Sequence, residues 1–156
     1  MQRGFSLIEL MVVMLVLGVL ASVALPLAEI SATRRKEAEL QRALWEIRDA
    51  IDGYKRAVET GVISPRPTPS GYPASLRVLV EGVAVSDARG GPSTLYFLRR
   101  IPPDPFSLVP EASPDQQWRL RSYQSSAERP RAGDDVYDVT SASDGVGLNG
   151  VPYRSW

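Results

Sequence analysis

Glu9 is the only charged side chain between Phe5 and Ala28, in a segment otherwise built of apolar and small uncharged residues. A carboxylate at that depth in a membrane costs at least about 2.5 to 3.5 kcal/mol even on the lenient insertion scale, so it calls for a partner. Toward the other end, Asp144 and Asn149 stand in the glycine-rich stretch Asp144-Gly145-Val146-Gly147-Leu148-Asn149-Gly150, which offers hard oxygen atoms. Asp-Gly and Asn-Gly are equally ordinary turn signals, and no second acidic residue follows Asp144. Asp134, Asp135 and Asp138 are carboxylates an enzyme could use, yet acids in a Gly/Pro-rich loop read as solvated surface. There is no cysteine and no histidine, so thiolate nucleophiles, disulfides and the commonest zinc ligands and general bases are all missing. Catalysis is therefore not expected. The 18 basic and 18 acidic residues cancel, which argues against a strongly basic nucleic-acid surface.

The elements that must position these residues follow from periodicity. From Leu10 to Ala28 the chain is uncharged for nineteen residues, about 28 Å as a helix and enough for most of a bilayer's hydrocarbon core. Gly18 allows close packing against another helix. Pro26 removes a backbone donor, so a kink or melted turn is expected there. Beyond it, Leu40, Leu44, Ile47, Ile51, Tyr54 and Val58 recur at steps of four and three, the signature of one buried helix face. Lys36, Glu39, Arg42, Glu46, Arg48, Asp49, Asp52, Arg56 and Glu59 occupy the other faces, and Gly61 is the stop signal. Fewer than three heptads favour packing onto a domain over a coiled coil.

Residues 61–156 hold 12 of the 13 prolines and 9 of the 12 glycines, which marks a loop-rich domain with short strands. Pro65, Pro67 and Pro69 form an extended connector. The segment Gly71 to Gly82 reads as a short helix with Leu76, Leu79, Val80 and Val83 on one side. Pro102, Pro103 and Pro105 hold an extended surface loop, with Phe106 free to cap the core. Gln117 to Gln124 and Val136 to Ser141 are strand candidates that would pair antiparallel. The expected fold is α+β: a long N-terminal helix, half membrane and half amphipathic, packed on a small antiparallel sheet. The divisions are 5–30 for the apolar helix, 31–60 for its amphipathic half and 61–156 for the globular domain.

Gly4-Phe5-Ser6-Leu7-Ile8-Glu9 resembles the processing signal of the type IV pilin-like family: a short basic leader ending in glycine, then phenylalanine, then glutamate as fifth residue of the mature chain. Tyr96-Phe97-Leu98-Arg99-Arg100-Ile101-Pro102-Pro103-Asp104-Pro105-Phe106, with Tyr72-Pro73 and Leu79-Val80 upstream, is similar to the major pseudopilins of type II secretion systems, although Ser107 stands where glycine is usual. The resemblance implies a leader over 1–4, cleavage between Gly4 and Phe5 by a prepilin peptidase, and N-methylation of Phe5. It further implies a non-catalytic subunit of a homo-oligomeric helical filament, working with minor pseudopilins and an inner-membrane assembly platform. The chain would begin as a single-pass protein of the bacterial inner membrane with its C-terminal domain in the periplasm. Cleavage would create an α-amino group of ordinary pKa near 8, and Glu9 of one subunit could pair with the Phe5 amine of the next.

Rivals remain. Arg3 and an apolar run also fit a secretory signal or plain anchor, but there the cut follows the apolar run. A type IV pilus pilin usually closes its C-terminal region with a disulfide, and a minor pseudopilin often lacks the glutamate; a membrane-anchored enzyme or binding protein is the rival from another class. Arg34, Arg35 and Lys36 after the apolar run would by charge count alone leave the domain in the cytoplasm, against the resemblance. The resemblance also admits one cofactor, calcium bound in the C-terminal loop, with Asp144 and Asn149 as the candidate ligands. Calcium takes six to eight hard oxygens, and one carboxylate is a thin start.

Overall fold

Among the described residues the first helical hydrogen bonds are those of Ser6, whose carbonyl accepts Glu9 N–H at 3.1 Å and Leu10 N–H at 3.2 Å. In this computed structural model they open α1 (Leu7–Glu59). The structure describes residues 6–64, 67–86 and 90–156, and of residues 23–26 the backbone only. α1 passes through Pro26 as assigned helix, so the melted turn expected there does not form. The chain divides into two compact units, the first ending at Lys36 and the second covering Glu37–Trp156.

In the first unit the large apolar side chains of α1, from Leu7 to Leu20, are exposed. Its most apolar 18-residue window has a mean hydropathy of 2.7, so α1 is long and apolar enough to cross a membrane.

The second unit is built on residues 37–59 of α1. Leu40, Leu44, Ile47, Ile51, Tyr54 and Val58 are all buried, and Ala43 and Ala50 add small residues to the same stripe. Each fully buried large aliphatic side chain stabilises by about 1.5–3 kcal/mol, so this stripe is the main adhesive of the domain. α1 ends as its glycine predicts: Gly61 has φ 77°, its N–H reaches the Val58 carbonyl, and Ile63 N–H reaches the Ala57 carbonyl. That turn folds Ile63 back into the core.

α2 (Leu76–Glu81) is shorter than the twelve-residue segment expected, because Ser75 stays extended ahead of it and Gly82 closes it. Pro73 instead accepts Val136 N–H at 2.8 Å, tying this segment to the approach to the last strand. β1 (Val83–Ser86) and β2 (Pro92–Leu95) form an antiparallel hairpin with Val83 opposite Leu95, so Val83 belongs to a strand and not to the helix side assigned from sequence. β3 (Trp118–Arg121) and β4 (Asp138–Ser141) pair antiparallel as anticipated, with Trp118 opposite Ser141. The fold is thus α+β, with two two-stranded sheets among the described residues where one was expected.

The proline segment is more than a surface loop. Asp104 is only 4% exposed; its carboxylate accepts Phe106 N–H at 2.8 Å and Ser141 O–H at 2.7 Å. Gln117 accepts Asp104 N–H and donates to the Pro110 and Ala112 carbonyls, while Trp118 donates its indole N–H to the Pro102 carbonyl. These bonds fasten residues 102–112 onto β3 and β4, and they give the buried Asp104 and Gln117 side chains the partners that burial requires.

Candidate functional site

Gly4 and Phe5, the expected processing position, lie outside the described residues. Glu9 is in the first turn of α1, exposed, with exposed Leu7, Ile8 and Leu10 around it. Among the described residues no basic group lies beside Glu9 on this apolar stretch, an arrangement that an intermolecular partner would complete.

The C-terminal loop is organised from α1. Glu37 Oε1 accepts Leu148 N–H at 2.7 Å and Tyr153 O–H at 3.1 Å. Burial first, and then the Glu37 carboxylate, push the Tyr153 phenol up to about 12. Three turns along, Arg48 donates to Asp138 Oδ1 at 2.9 Å, to the Val139 carbonyl at 3.0 Å and to the Trp156 backbone oxygen at 2.7 Å. Tyr153 stacks on Phe106, with centroids 4.1 Å apart, and meets Trp156 edge-on at 5.2 Å. Helix, proline segment, β4 and last residues are therefore joined at one place.

Two sequence readings change here. Arg48 was placed on the solvated face, but it reaches inward to β4 and Trp156. Asp135 and Asp138 read as solvated loop acids, yet Asp135 is buried and accepts Tyr123 N–H at 2.8 Å, and Asp138 pairs with Arg48. Glu37, Arg48 and Asp104 were missed as organising residues. Spacing could have flagged two of them: Glu37 lies three residues before Leu40 and Arg48 four after Leu44, both on the edge of the apolar stripe.

The family model described as the prokaryotic N-terminal methylation motif matches residues 1–25. A type II secretion system core protein G from Klebsiella pneumoniae is 30% identical over 145 residues, covering 89% of this chain and 95% of that protein. The chain belongs to the core protein G family. Proteins of the same name from Klebsiella michiganensis and Pectobacterium carotovorum are each 29% identical, over 148 and 140 residues. Among solved structures none gives a significant match.

The calcium expected by resemblance to the pseudopilins does not fit the donors present. Asp144, with 73% of its side chain exposed, faces Arg119 at 3.6 Å. Asn149 Oδ1 accepts Val151 N–H at 3.0 Å and so serves its own turn. Among the described residues no three Asp, Glu, His or Cys side chains gather where a metal ion could sit, short of the oxygen-rich shell calcium needs.

Proposed function

We propose that this core protein G family member is the major structural subunit of a periplasmic pseudopilus that serves type II protein secretion. The observation that supports this most is the likeness to core protein G, which extends over 89% of the chain and not over the methylation motif alone. In this reading a prepilin peptidase cuts between Gly4 and Phe5, Phe5 is N-methylated, and residues 5–30 leave the inner membrane to form the filament core. The amphipathic part of α1 and the domain over 61–156 remain outside, in the periplasm. Minor pseudopilins and an inner-membrane assembly platform are the heterologous partners, and the subunit itself catalyses nothing.

Glu9 is the assembly residue. At an effective dielectric of about 20, unit charges about 4 Å apart attract by roughly 4 kcal/mol, comparable with what Glu9 costs in an apolar layer. Pairing with the Phe5 amine of a neighbouring copy would set the axial register between subunits.

Intact-mass measurement on the chain purified from membranes tests the processing step. Loss of residues 1–4 with one added methyl group is expected, and substitution of Gly4 should leave the precursor uncut. A mature N-terminus after Ala24 or Ala28 would refute the reading in favour of a cleaved secretory signal. A periplasm-specific reporter fused after Trp156 should be active; cytoplasmic activity would overturn the orientation.

A further inference from the structure

We infer that the C-terminal loop of this pseudopilin is locked by protein groups, the Glu37 carboxylate and the Arg48 guanidinium, and needs no divalent cation to close. The two residues engage the loop at complementary places. Glu37 offers negative charge to two donors, Leu148 N–H at 2.7 Å and Tyr153 O–H at 3.1 Å. Arg48 offers positive charge to the Val139 and Trp156 backbone oxygens and to the Asp138 carboxylate. A bound cation would draw loop oxygens together around a positive centre. Here the positive centre is Arg48, and Glu37 holds the opposite side of the loop by its N–H and O–H groups.

The loop is shaped to this arrangement. A Cβ on Gly147 would stand 2.6 Å from Trp156 Cζ2, 2.8 Å from Asn149 Oδ1 and 3.2 Å from Glu37 Oε1, so any larger residue would have to push these side chains aside. Gly147 N–H is itself bonded to the Val151 carbonyl, and Val146 bridges Pro152, which closes the loop on itself. The oxygens a cation would recruit are meanwhile engaged: Asn149 with Val151 N–H, Asp138 with Arg48, and Asp144 opposite Arg119. Charge-assisted hydrogen bonds of this kind are about twice as strong as neutral ones, which lets a few of them hold a loop. The inference concerns the closed state of the single subunit, so it stands or falls separately from the filament reading.

Amide hydrogen exchange on the full chain in detergent micelles tests it, followed on the peptide 145–156 with β3 and β4 as internal control. In the wild type, exchange of 145–156 should be the same in millimolar calcium chloride and in excess EGTA, to within about twofold. Glu37→Ala should speed it by about tenfold or more while the control peptides keep their rates. If Glu37→Ala speeds exchange everywhere, Gly147→Ala decides instead, since it wedges the loop and leaves the helix intact; local acceleration is expected. Calcium that slows exchange of 145–156 in the wild type, or a loop that keeps wild-type rates in both variants, overturns the inference.

Discussion

Asp104 shows how much one side chain can decide. Its carboxylate accepts one backbone N–H and one hydroxyl while almost fully buried, so Asp104→Ala strands two donors and should destabilise the domain by about 2–4 kcal/mol. Denaturant unfolding followed by tryptophan fluorescence reads this, and Trp118 sits close enough to report it. Tyr153 makes a prediction about pH. Its phenol is raised from the ordinary 10.0 to about 12 in the folded chain, so ionisation is harder folded than unfolded. The stability it lends is complete below pH 10 and falls away as pH climbs from 10 through about 12. Alkaline unfolding of Tyr153→Phe should lack that component, whereas an identical alkaline midpoint would mean the phenol is not held as described. Asp115 behaves in the opposite sense: the Ser113 hydroxyl and the Arg77 guanidinium lower its pKa, so its contribution is lost as pH falls. These residue roles were the least legible in the sequence. An Asp between prolines or a Glu on a helix states its charge, but its partner lies up to 116 residues away and no local pattern encodes that.

At the level of elements, α1 was readable because its apolar residues repeat over many turns, and the same stripe that is visible in the sequence is the one that is buried. Ile47→Ala, at a position with 0% exposure, should cost about 2–5 kcal/mol. Trp45, two residues earlier and 75% exposed, should tolerate alanine to within about 0.5 kcal/mol. Chemical denaturation of both variants checks the contrast, and comparable losses would mean the wrong face of α1 has been assigned to the core. β3 and β4 were readable for a similar reason, alternating side chains bounded by turn residues. The β1–β2 hairpin was not. Each of its strands has four residues, β2 opens on a proline, and Val83 continues an apolar run begun in α2, so period two and period 3.6 cannot be told apart there.

For the whole molecule, the charge on which the proposed assembly turns is Glu9, exposed on the apolar half of α1. Glu9→Ala should leave processing and the fold of residues 37–156 untouched while lowering sedimentable filament by about tenfold or more, given an attraction of several kcal/mol. Filament yield at the wild-type level would dismiss the register role. The family motif at residues 1–25 was legible because it is contiguous, whereas the partners of the loop's polar groups, Val151 N–H for Asn149 and Arg119 for Asp144, are visible only in three dimensions.

The clamp formed by Glu37 and Arg48 also has a place in time. Its contacts join positions separated by 111, 116 and 108 residues, from Glu37 to Leu148 and Tyr153 and from Arg48 to Trp156. A chain made from its N-terminus presents the helix long before the residues that grip it. Until the segment through Trp156 has emerged, Glu37 and Arg48 stand open and the loop cannot close. Closure of the clamp therefore follows the formation of α1, and a chain halted before Leu148 has the helix without the contacts that hold the loop.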